Sequence, residues 1–90
     1  MSNDISEHYR KALTNSVREV VAEVESAKSI FSMAFTSNHE GYAVLLEEVD
    51  ELWDEVKKKH ADKERIRKEA TQIAAMALRI MVELTPSSHD

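Results

Sequence analysis

The chain has no cysteine, one glycine, one proline and five aromatic residues among ninety. Each scarcity removes a class of structure. Without cysteine there are neither disulfides nor thiolate metal sites, and the chain suits a reducing cytoplasm. With a single glycine and a single proline it has little chemistry for tight turns, which points away from hairpin-rich β folds. Strand-like alternation is absent as well. No apolar run approaches eighteen residues, so no membrane span is expected. The opening Met1-Ser2-Asn3-Asp4-Ile5-Ser6 has no basic cluster followed by an apolar stretch, and it does not read as a signal peptide. The formal charge of −5 makes nucleic acid and anionic bilayers poor partners for the surface as a whole. An acidic chain can still bind a nucleotide through a bridging metal ion.

What remains is an all-α chain of one domain. A core built from ninety residues is thin, so pairing with further copies is expected, as a homodimer or homotetramer. The first helix is expected from about residue 5 to about 28, where Tyr9, Leu13, Val17, Val20, Val21 and Val24 recur at three- and four-residue spacing. Residues 29–36 are apolar for a linker and read as a packed connection. Phe31 or Phe35 could alternatively wall a pocket for a flat base. Residues 1–36 thus form an N-terminal helix with its connection, 37–85 a helical hairpin, and 86–90 a polar tail.

The hairpin has clear punctuation. Ser37-Asn38-His39-Glu40 matches a capping box, with Ser37 as N-cap and Glu40 reaching back. Tyr42, Leu45, Leu46, Val49, Leu52, Trp53 and Val56 mark an apolar face through about residue 59, where Lys57-Lys58-Lys59-His60 suits the negative end of the helix dipole. Tyr42 reads as core and Trp53 as a core or subunit-interface anchor. Asp62 is the expected N-cap of the third helix. Ile66, Ala70, Ile73, Ala74, Ala77, Ile80, Met81 and Leu84 form that helix's expected buried stripe, before Pro86 ends the ordered region.

The chemistry lies in the acids of the hairpin. Glu48 and Glu51 are three residues apart and share one face of a helix. At about 1.5 Å per residue, Glu48 and Glu51 sit roughly 20 and 15 Å before a turn centred near Ala61. Glu69 and Gln72 sit roughly 12 and 16 Å after it. The four fall at one level of the two arms, and converging oxygen ligands are what a hard cation such as Mg²⁺ or Mn²⁺ takes. Spacing alone leaves two readings open, a metal site and a solvated acidic face, since Glu47/Asp50 and Glu51/Asp54 repeat the same interval.

The segment Leu46-Glu47-Glu48-Val49-Asp50-Glu51-Leu52-Trp53-Asp54-Glu55-Val56, followed by Ile66-Arg67-Lys68-Glu69-Ala70-Thr71-Gln72-Ile73-Ala74-Ala75-Met76, resembles the MazG-like all-α NTP pyrophosphatase superfamily. The resemblance covers about residues 37–84, and Asn38-His39-Glu40-Gly41-Tyr42 looks like small phage and prophage members. The family pattern is Glu-x-x-Glu on one helix and Glu-x-x-Asp on the next. Glu48, Glu51 and Glu69 match three of its acids, whereas Gln72 stands at the fourth and brings no negative charge.

The resemblance implies hydrolysis of a (d)NTP to the monophosphate and pyrophosphate. Glu48, Glu51 and Glu69 would be both catalytic and metal-holding, and Gln72 a fourth ligand through its carbonyl, with Glu55 or Glu83 as compensating acids. It also implies a site inside a four-helix-bundle core completed by oligomerisation. Lys57, Lys68, Arg79, Phe35 and His39 are candidate substrate contacts, as are Lys63, Arg65 and Arg67. Two other classes stay open: a relative that binds nucleotide or metal with weak turnover, and a helical oligomerisation or adaptor module.

Overall fold

A computed structural model describes residues 6–30 and 34–87. They form three helices, α1 (Glu7–Ile30), α2 (Asn38–Val56) and α3 (Lys63–Glu83), with no strand among the described residues. None of these helices is long and apolar enough to cross a membrane. Phe31 and the end of the tail lie outside the described residues.

Short polar side chains start all three helices. Ser6 Oγ accepts the Tyr9 N–H at 3.0 Å at the head of α1. Ser37 Oγ accepts the Glu40 N–H at 3.0 Å, and Asp62 Oδ1 accepts that of Glu64 at 2.8 Å, so both expected caps are in place. The capping box differs in one bond. Glu40 Oε1 reaches one residue further back than expected, to the Thr36 N–H at 2.6 Å and its hydroxyl at 3.0 Å. These bonds hold the Glu40 carboxyl below the usual carboxylate range. At the far end, α2 stops at Val56 with Lys57 as C-cap, short of the expected residue 59. Lys57 and Lys58 turn back onto Asp54 and Glu55 at 3.2 and 3.0 Å.

α3 packs against both other helices, which among the described residues do not pack against each other. That position corrects the expected stripe. The buried residues of α3 are Ala75, Met76 and Arg79, while Ala70, Ala77 and Met81 are exposed. A helix wedged between two neighbours covers a wide arc, and its centre falls between the two contacts rather than on one apolar line. α1 meets α3 through Ser16, Val20, Glu23, Val24 and Ala27, whereas residues 6–15 are all exposed. α2 turns Gly41, Leu45, Glu48, Leu52 and Glu55 inward.

Tyr42, expected in the core, is 63% exposed, and Trp53, expected in the core or at a subunit interface, is 59% exposed. With Leu46, Val49 and Val56 they form an exposed apolar line on α2, spaced four, three, four and three residues apart. A 3.5-residue repeat of this kind is the seam of a coiled coil. The radius of gyration, 15.4 Å, exceeds the roughly 12 Å expected of a compact chain of this length.

The connection before α2 is clamped to the end of α3. Arg79 Nε and Nη2 donate to the two oxygens of Glu83 at 2.8 and 3.2 Å, and the Phe35 N–H donates to Glu83 Oε1 at 2.8 Å. The guanidinium lies over the Phe35 ring, 4.1 Å from its centroid. Gly41 completes this corner, because a Cβ there would meet Leu84 Cδ1 at 2.8 Å. Both side chains of the Arg79–Glu83 pair are 9% exposed. Removing one partner strands a buried charge, so Glu83→Ala should destabilise the fold by about 3 kcal/mol. Arg79→Leu combined with Glu83→Met should recover most of that loss in urea titrations. Equal midpoints for Glu83→Ala and the native chain would mean that the clamp contributes nothing.

Candidate metal centre

The α2–α3 hairpin brings three of the sequence-marked acids together. One carboxylate oxygen each from Glu48, Glu51 and Glu69 lies within 4.8 Å of the other two. Two oxygens on one ion are separated by at most twice the metal–oxygen distance, about 4.2 Å for Mg²⁺ and about 5 Å for Ca²⁺. The spread therefore matches three ligands of one cation after little or no closure. Glu48 Oε1 and Glu69 Oε1 are buried and have no hydrogen-bond partner. Buried carboxylate oxygens without a donor are costly unless a cation answers them. The donor set is all oxygen and negatively charged, which suits a hard divalent ion.

The electrostatics carry the same strain. Burial, followed by the charges of Glu51, Glu69, Glu47 and Glu23, pushes the Glu48 carboxyl above its ordinary range. Glu69 is raised by burial, by the charge of Glu51 and a hydrogen bond with it, and by Glu55; Lys68 opposes the rise.

Gln72 reaches α1. Its Nε2 donates to Glu23 Oε2 at 2.8 Å in a partly buried contact. Glu23 is thereby a neighbour of the acidic cluster that the sequence reading missed. The signal was available, because Ser16, Glu19 and Glu23 recur at helical spacing beside the valine stripe of α1. Glu19 is occupied otherwise, accepting from Arg67 Nε and Nη2 at 3.1 and 3.0 Å.

Two clefts flank the cluster. One, of about 490 Å³, is lined by Glu55, Asp62, Glu64, Arg65, Lys68 and Glu69. The other, of about 340 Å³, is lined by Glu19, Glu23, Glu64, Arg67, Lys68, Thr71 and Gln72. Of the candidate substrate contacts, Lys68 stands between the two clefts. Lys57 pairs with Asp54 on the surface. Arg79 and Phe35 come together, but about 15 Å along α3 from Glu69. His39 is exposed in the first turn of α2, about 14 Å along that helix from Glu48. Of the two compensating acids, Glu55 is close enough to act on Glu69, while both oxygens of Glu83 are held by Arg79.

No known protein family, curated protein or solved structure matches this chain.

The raised carboxyls set a pH dependence. Glu48 and Glu69 hold a proton more tightly folded than unfolded, so stability falls as pH rises from the ordinary carboxylate range through their raised values. In EDTA the melting temperature should climb on acidification from about pH 7 to about pH 5. Glu48→Gln should flatten that climb. Glu19 and Glu40, whose carboxyls are lowered, act with the opposite sign and at lower pH. A native profile that is flat, or that falls on acidification, would contradict the strain assigned to the cluster.

Proposed function

We propose that the chain is a subunit of a cytoplasmic, metal-dependent nucleoside triphosphate pyrophosphohydrolase of the MazG-like kind, working as a homo-oligomer. The observation that carries this reading is the convergence of Glu48, Glu51 and Glu69 around two buried, unpartnered carboxylate oxygens. It joins the sequence resemblance at the residues where the resemblance calls for metal ligands.

Those three carboxylates would hold Mg²⁺ or Mn²⁺, with the Gln72 carbonyl as a neutral ligand. A divalent ion bound there supplies neutralisation of phosphate charge and a lowered pKa for an attacking water. In the reaction, the water oxygen bonds to the α phosphorus and the bridging Pα–O bond breaks. Pyrophosphate leaves with that bridging oxygen. A site carboxylate accepts the water's proton, a role open to Glu48 or Glu69, whose proton affinity is raised by their surroundings. Lys68, between the two clefts, is the cation best situated for the departing phosphates.

The oligomer draws its support from the exposed line Tyr42, Leu46, Val49, Trp53 and Val56, and from the exposed Tyr9, Leu13, Val17 and Val21 of α1. Covering such lines with a second copy would complete a bundle-type core.

A second reading, a nucleotide- and metal-binding relative with little turnover, is favoured by one observation. The Gln72 amide is hydrogen-bonded to Glu23, at the position where the family carries an acid.

Pyrophosphate release from a panel of NTPs and dNTPs with Mg²⁺ or Mn²⁺ tests the first reading. Glu48→Gln should cut the rate at least about 100-fold, while Glu47→Gln, on the exposed flank, should leave it within about threefold. Metal-dependent thermal stabilisation without pyrophosphate release would select the second reading. Neither effect in folded protein would leave the adaptor class. Sedimentation should show a dimer or tetramer that Trp53→Lys dissociates; a native monomer would refute the oligomer.

A further inference from the structure

The hairpin brings three carboxylates to the centre and no fourth. The residue one turn beyond Glu69 is the neutral Gln72. We propose that Glu23 of α1 supplies the fourth carboxylate of the metal centre, held in place by the Gln72 amide. The inference rests on the metal reading above and adds to it a residue from a third helix.

A glutamine amide nitrogen can only donate. The acceptor it meets is Glu23 Oε2, at 2.8 Å. That bond fixes which way the amide lies, with its carbonyl oxygen turned away from Glu23. Glu23 is half-buried, and among the described residues its hydrogen-bond donor is Gln72 and no lysine or arginine pairs with it. Of the two cations lining the same cleft, Arg67 spends two of its nitrogens on Glu19 and Ser16, and Lys68 makes no ion pair with Glu23 among the described residues. Glu23 thus reaches the α3 side of the cleft through Gln72, near enough to Glu48 to act on it.

A purely structural link between α1 and α3 would not need this arrangement. A glutamine–glutamine or glutamine–serine contact would hold the helices without a fourth like charge next to two unpartnered carboxylate oxygens. A cation in the cluster accounts for all of these features. Ligand-supporting groups just outside a metal's inner ligands typically change its affinity 10–100-fold when removed. Gln72 then has two parts, its carbonyl toward the ion and its amide nitrogen positioning Glu23.

The test is Mn²⁺ affinity measured by electron paramagnetic resonance on the full chain, with melting temperatures in EDTA as the measure of fold. Native protein should bind Mn²⁺, and Glu48→Gln should abolish binding. Glu23→Gln should weaken it at least about 10-fold. The exchange Glu23→Gln with Gln72→Glu keeps one amide and one carboxylate in contact. It should bring affinity back to within about threefold of native. All variants should melt within a few degrees of native in EDTA, which a structural role for Glu23 would not allow. Native affinity in Glu23→Gln, or an exchange variant as weak as Glu23→Gln alone, overturns the proposal. Folded native protein that takes up no Mn²⁺ overturns the metal reading itself, and this inference with it.

Discussion

The fold depends on α3 being covered on two sides by helices that, among the described residues, do not pack on each other. The packing of α1 and α2 is therefore relayed by α3, and the residues at its middle must serve both neighbours. Ala75, fully buried, is small enough to let a helix come close, and Met76 fills the remaining gap with an adaptable side chain. Arg79, 8% exposed, could not sit in this arc alone. The paired oxygens of Glu83 and the face of Phe35 make its burial tolerable, and in doing so they tie the connection before α2 to the end of α3. One end of α3 is thus closed by a satisfied ion pair. Further along, the same helix carries Glu69 into a group of like charges that Lys68 only partly offsets.

These two ends illustrate opposite uses of buried charge. At Arg79 and Glu83 every strong charge has a geometric partner, so the pair acts as a clasp. At Glu48, Glu51 and Glu69 the fold assembles negative charge and leaves oxygens unanswered, against its own stability in the absence of a cation. The carboxyls respond by holding protons more tightly. Folding alone gives no reason for the second arrangement, and a bound cation is the reason proposed above.

Much of this was legible in the sequence because it depended on local periodicity. Ser37 and Asp62 announced their helices as short polar residues ahead of apolar repeats, and both cap as expected. The level of Glu48, Glu51 and Glu69 followed from rise per residue and one short turn, since a hairpin leaves little freedom in register. What depended on a third helix was hidden. The contact between Glu23 and Gln72 joins residues 49 positions apart; helical spacing places Glu23 beside the apolar stripe of α1 but does not name its partner. The burial of Arg79 was hidden for the same reason. The apolar stripes were visible, but not which parts of them this chain covers itself. Tyr42 and Trp53 share one line, while Leu45 and Leu52 of the same apolar sector face α3. The sector is wider than one helix neighbour can cover, and this excess separates an apolar residue from a core residue here.

The neutral residue at position 72 follows from the same electrostatics. Position 72 faces Glu23 across the α1–α3 contact at hydrogen-bonding distance. An aspartate or glutamate there would set two carboxylates against each other, and one of them would have to take a proton to stay. A glutamine removes that conflict and turns it into a hydrogen bond. On the proposal above, the negative charge is borne by α1 instead of α3, with Glu23 beside the three carboxylates that converge, Glu48, Glu51 and Glu69. On the metal reading, the neutral residue in the hairpin and the acid on α1 are a single feature. That reading makes α1 more than a lid on the apolar core, because the charge of the proposed centre then depends on where α1 is docked.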